Sequence, residues 1–284
     1  MGVSLSGVMK ESREAGRGAR ARRGRPALPT LMLVLTVVTG LVEAVSLLAL
    51  GPVFTAMQTG NVLFLSFGVA RAGDLPALPS AVSLAAFVVG VVCGALMEAA
   101  AEARGRRWFV IGLGVEAVLI LVAAGIGWGL ERHYGAPTER HLAVAAVLAL
   151  AMGIRTLTIM RSNVPGVPTT LVTRSMTAFL SGSTLGQGSS LEYGSPSWVR
   201  RGLAVPAMFL GGMGGALLLV GAGWTVNWLL LPASGLVLAV GLTAYLEHPR
   251  LHTGQSSRRE PCEPSDASDP YDLSDLSDPS DPSR

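Results

Sequence analysis

Four stretches of this chain set polar or ionisable side chains into otherwise apolar sequence. Glu43 lies in the middle of the run 30–50. Gln58, Thr59 and Asn61, with Gly60 among them, follow a Gly-Pro pair at the head of VFTAMQTGNVLFLSFGVA, residues 53–70. Arg155 lies inside the run 142–160. Thr169, Thr170, Thr173 and Arg174 crowd PTTLVTRSMTAFLSGSTLG, which starts at Pro168 just after Pro165. An ionisable group at membrane depth costs a few kcal/mol unless it is paired or protonated, so Glu43 and Arg155 must face the interior. There they suit a proton-linked or anion-contacting site. The uncharged Thr, Asn and Gln side chains donate and accept hydrogen bonds, which suits a small polar solute. The structural alternative uses the same residues as a buried ion pair and as interhelical hydrogen bonds of about 0.6–2 kcal/mol each. Glu43 is expected to pair with Arg155 or Arg174. Glu116 is a second, shallower carboxylate, and Glu98 and Glu102 read as a membrane edge neutralised by the Arg104–Arg107 cluster.

The elements that must position these groups are membrane helices. Half the residues are hydrophobic, only 14% are charged and the mean hydropathy is +0.48. A soluble domain carries roughly a quarter charged residues. Eight apolar runs stand out: 30–50, 53–70, 80–101, 108–130, 142–160, 168–185, 203–222 and 224–246. Several reach the roughly 20 residues that cross a bilayer. The second and sixth are too polar for lipid-facing spans, and prolines mark their starts. The fold class expected is an all-α integral membrane protein with about six full transmembrane helices plus two polar, broken or re-entrant segments. Irregular backbone at membrane depth is tolerated where it is buried in protein or lines a cavity.

The chain divides into a basic N-terminal arm (1–29), a membrane domain (30–246) and an acidic Ser/Asp/Pro-rich tail (247–284). Both tails have the composition of disordered segments. The arm is expected to hold the N-terminus in the cytoplasm, with the first apolar run as an uncleaved helix. Eight crossings would put Arg104, Arg106, Arg107 and Arg161 outside, whereas six keep the Arg104–Arg107 cluster cytoplasmic and leave Arg71, Arg132 and Arg140 outside. Six is preferred, and both counts put the two termini on the cytoplasmic side.

Within the membrane domain, 40–68 and 153–182 share an order of features. A glycine (Gly40, Gly153) is followed within three positions by a charge (Glu43, Arg155), then a Gly/Pro break and a Thr-centred polar cluster. Further on, FVVGVVCGALM (87–97) parallels FLGGMGGALLL (209–219). This suggests two repeated halves, 30–130 and 142–246, inverted if six helices cross. Paired halves with interrupted polar segments point to a transporter-type binding site. The small-residue faces Gly90/Gly94 and Gly211/Gly215 permit close helix contact, including contact with a second copy of the chain.

The motif TGN after a first helix with an acidic residue, and VPGVPTTLVT after a helix ending in Met-Gly, resemble the YoaK-like membrane proteins of bacteria, a domain of unknown function. The resemblance covers residues 30–246 and implies multi-pass architecture in the cell membrane without a substrate. Arg174 and Arg155 depart from the pattern, which usually has Gly and an amide there.

No nucleophile elbow, HExxH or Walker loop is present, so no enzyme activity is expected. No Cys/His cluster has zinc-like spacing, so neither metal nor cofactor is expected. Nothing suggests nucleic acid as a partner. The functional reading is a transporter- or permease-like protein for a small polar solute; the rival is a membrane scaffold or sensor whose polar clusters only hold helices together.

Overall fold

The computed structural model describes residues 28–72, 77–130, 137–162 and 196–247. They form seven helices: α1 (Leu28–Val45, extended by a π-helical turn Ser46–Leu50), α2 (Gln58–Val69), α3 (Ala77–Ala103), α4 (Trp108–Ile126), α5 (Glu139–Arg161), α6 (Pro196–Ala216, extended by a π-helical turn Leu217–Gly221) and α7 (Val226–Glu247). Six of these are long and apolar enough to cross a membrane; α2 is not among them. Its 12 residues span about 18 Å, well short of the ~30 Å hydrocarbon core. The second apolar run is therefore a half-length helix preceded by non-helical chain, as its polar start foretold. The sixth run, and with it Thr169, Thr170, Thr173 and Arg174, lies outside the described residues, as do the basic arm to residue 27 and the acidic tail from residue 248.

Cross-helix contacts fix the direction of each helix. Gly211 lies against Val37, and Gly215 against Leu41 and Ala44, so α1 and α6 run parallel. Gly90 lies against Leu150, Gly94 against Ile154, and Glu98 meets Thr158, so α3 and α5 also run parallel. Helix α4 is antiparallel to α5 (Glu116 with Arg155, Trp108 with Arg161) and to α7 (Arg107 with Tyr245, Ala117 with Ser234). Helix α1 is antiparallel to α5, because Arg155 meets Leu35 while Gly51 lies beside Pro137.

One consequence is topological. The end of α1 and the start of α3 fall on the same face, so the chain between them enters and leaves without crossing. The loop joining α3 and α4, with Arg104, Arg106 and Arg107, lies on the face where α1 begins and where α5 and α7 end.

The parallel pairs are packed backbone to backbone through glycine. A methyl group on Gly90 would overlap the Leu150 carbonyl, and one on Gly211 the Val37 carbonyl. Their partners are glycines or lie beside them: Gly153 abuts Phe87 and Gly90, and Gly40 abuts Met208 and Gly212. The Gly90/Gly94 and Gly211/Gly215 faces thus make helix contacts within the chain, α3 with α5 and α6 with α1. The apolar core around them holds Met32, Leu35, Phe109, Leu148 and Met152, all fully buried, while Leu96, Val88 and Phe209 point outward as lipid-facing side chains do.

Candidate functional site

The helix α1 ends in a break that its sequence dictates. Gly51 adopts φ +121°, a conformation that side-chain-bearing residues rarely take, and Pro52 offers no N–H to continue the helix. The chain from Gly51 to Met57 is non-helical yet largely buried: Val53 and Thr55 are inaccessible and Ala56 nearly so. Backbone groups buried outside a helix need partners, and side chains supply them.

Three residues do most of this. Glu43 Oε1 accepts from the Thr55 N–H (3.1 Å), the Thr55 hydroxyl (3.1 Å) and the Ala56 N–H. Asn61 works as a strand partner for Phe54: its Oδ1 accepts the Phe54 N–H (2.9 Å) while its Nδ2 donates to the Phe54 carbonyl (2.6 Å). Ser46 donates to the Val53 carbonyl at 2.7 Å. Around them, Ser83 on α3 also donates to the Phe54 carbonyl (2.6 Å), and Gln58 donates to the Thr55 carbonyl while accepting from Asn61. Gly60 is required because a methyl there would enter the Phe54 ring, which stacks on Phe64 with centroids 5.7 Å apart.

A second buried centre lies one helical turn away along α1. Thr39 and Glu43, four residues apart, share a face of that helix. Arg155, wholly buried, donates to Thr39 Oγ1 (2.7 Å) and to the Leu35 carbonyl (3.2 Å), and forms an ion pair with buried Glu116 of α4. Glu116 Oε2 and Arg155 Nε have no hydrogen-bond partner among the described residues. Among these residues, one acceptor and one donor in the interior are uncommitted.

Several sequence expectations change here. Glu43 does not pair with Arg155: its carboxylate is taken by the re-entrant backbone, and the arginine's carboxylate is Glu116. Thr59 is exposed on α2, because the helix begins at Gln58 and turns it away; Thr55 occupies the site instead. Glu98 is buried, accepting from Thr158 at 2.5 Å, and the cation beside it is Arg161 at 3.7 Å. Arg161 also pairs with Glu102, so this acidic pair is served from α5 and not by the Arg104–Arg107 cluster. Glu43, Gln58 and Asn61 do come together around the break, and Arg155 joins the second centre.

A family model described as a protein of unknown function (DUF1275) matches residues 31–243. This chain belongs to that family. Among curated proteins, it is similar to the UPF0700 transmembrane protein YoaK of Bacillus subtilis (strain 168), with 27% identity over 144 residues, 50% of this chain and 60% of the relative. The chain thus matches about 60% of that relative's length. No solved structure matches. The YoaK-like resemblance carried by TGN and VPGVPTTLVT is therefore upheld, and the chain is a multi-pass membrane protein. In this DUF1275 chain the site residues that sequence reasoning missed are Thr39, Ser46, Thr55 and Ser83. Thr39 and Ser46 carried a signal, since they lie four before and three after Glu43 on one helix. Ser83 carried none, because only the fold brings α3 to the break.

Proposed function

We propose that this chain is a transporter-like membrane protein for a small polar solute, built from two inverted halves and residing in the bacterial cell membrane with both termini cytoplasmic. The observation that carries the reading is Glu43, a buried carboxylate midway along a spanning helix that holds a non-helical re-entrant segment by its backbone N–H groups. Broken helices at membrane depth, repeated in inverted halves, are how many transporters build solute sites. The pairing pattern supports duplication: α1 with α6 and α3 with α5 are equivalent pairs if α1 corresponds to α5 and α3 to α6. Those correspondences also reverse direction, as inversion requires.

The uncommitted atoms of Glu116 and Arg155 favour a solute that both donates and accepts. Glu43 then serves as the coupling group, its grip on Thr55 and Ala56 weakening when it takes a proton. The orientation rests on the arginines: Arg104, Arg106, Arg107 and Arg161 border one face, while Arg71 and Arg140 border the other. Basic residues concentrate on the cytoplasmic side.

One observation favours the scaffold reading. Asn61, Gln58 and Ser83 spend their hydrogen bonds on the chain itself. Uptake and efflux in proteoliposomes across a panel of amino acids, sugars and small organic ions separate the two. Transport of a panel member that changes its rate or pH dependence with Glu43→Gln supports the proposal. Transport indifferent to Glu43→Gln removes Glu43 from the mechanism, and no transport across the panel favours the scaffold.

A further inference from the structure

We propose that the groove between α4 and α7 seats one anionic phospholipid, with an acyl chain in the groove and the phosphate on Arg107. The groove encloses about 360 Å³ and is lined by Val110 and Gly114 from α4 and Leu238, Gly241, Leu242 and Tyr245 from α7. These positions lie at three- and four-residue spacings on each helix, so they form one continuous face. A glycine on each wall makes the face concave. The lining carries no charged side chain, and Leu242 is 60% exposed, which for a spanning helix means open to lipid. Hydrocarbon, not a solute from water, fits such a surface.

The end of the groove supplies the headgroup chemistry. Arg107 precedes α4 and closes over Tyr245, its Nη1 donating to the Tyr245 carbonyl (2.7 Å) and its guanidinium 3.9 Å from the ring centroid. A guanidinium has five N–H donors in a fixed fork, so this anchoring leaves donors for a phosphate. Arg104 and Arg106 are exposed in the same loop. Among the described residues at this edge, Arg104, Arg106, Arg107 and Arg161 stand against Glu247 at the end of α7 and the Glu98 and Glu102 carboxylates that Arg161 engages. The edge is therefore net positive. An anionic phospholipid matches both parts at once, charge at the membrane surface and hydrocarbon just below, as basic pockets between transmembrane helices do. A zwitterionic lipid would bring its own cation to the arginines.

The test uses the full chain, delipidated in detergent and titrated with phosphatidylglycerol or phosphatidylcholine, read by native mass spectrometry and by thermal unfolding. Phosphatidylglycerol should be retained and raise the melting temperature more than phosphatidylcholine does. Arg107→Gln should weaken its binding about fivefold. Gly114→Leu and Gly241→Ala, which add side-chain volume to the groove, should weaken it too, with each variant's lipid-free melting temperature recorded as the folding control. A Cβ on Gly114 meets open space, and one on Gly241 only an ordinary 3.5 Å contact with Leu113. Equal binding of the two lipids overturns the proposal. So does phosphatidylglycerol binding that follows Arg107 but ignores both glycine variants, which would place the headgroup without the groove.

Discussion

Arg155 on α5 is paired with Glu116 on α4, and the same guanidinium reaches Thr39 on α1, so one fully buried cation ties three helices together. Breaking such a pair strands the remaining charge, whereas removing both members can be nearly neutral. Glu116→Gln and Arg155→Gln are each expected to cost about 3–5 kcal/mol, read as a lower melting temperature of the solubilised protein. The double variant should recover much of that loss. The cycle of Glu43→Gln with Arg155→Gln should show far weaker coupling, because Glu43 spends its carboxylate on Thr55 and Ala56.

Among the described residues the Asn61 side chain is the one acceptor for the Phe54 N–H, whereas the Phe54 carbonyl accepts from Ser83 as well as Asn61. Asn61→Ala should therefore remove that acceptor from the half-buried Phe54 N–H, at about 1 kcal/mol. Ser83→Ala should cost less, because Asn61 still serves the carbonyl. Paired thermal-unfolding measurements on the two variants check the order. A Ser83 variant that is the worse of the two would contradict the role given to Asn61.

Glycines within one helix should divide sharply. Gly211→Ala drives a methyl into the Val37 carbonyl, whereas a methyl on Gly214 meets open space. The first should cost about 1–3 kcal/mol through overpacking. The second should be neutral, or stabilising by up to about 1 kcal/mol because alanine is the better helix former. Gly90→Ala and Gly153→Ala should behave like Gly211→Ala. Folded yield after solubilisation, compared across the four variants, is the readout.

The sequence showed the spans well because apolar runs of membrane length leave little choice of element. The run 80–101 became α3 (Ala77–Ala103) and the run 142–160 became α5 (Glu139–Arg161), each differing by at most three residues at either end. The break was legible too, since Gly51 and Pro52 stop a helix and the polar cluster after them is costly in lipid. Partnerships were not. Arg155 could have met any buried carboxylate, and the choice of Glu116 over Glu43 depends on the antiparallel register of α4 on α5, which no local pattern encodes. Thr55 and Thr59 look alike in sequence. Which of them faces Glu43 is decided by where α2 starts.

The claim on which the rest stands is that the chain between α1 and α3 enters and leaves the membrane on one face. Labelling by a membrane-impermeant maleimide in intact and permeabilised cells tests it, in a Cys93→Ala background. The native Cys262 reports the C-terminal side, and Ala72→Cys and Arg106→Cys, both at exposed positions, report the two loops. Ala72→Cys is expected to be labelled from the face opposite to Cys262, with Arg106→Cys on the same face as Cys262. Labelling of Ala72→Cys from the Cys262 side, with Arg106→Cys opposite, would mean that residues 53–70 cross the bilayer, and would contradict the account.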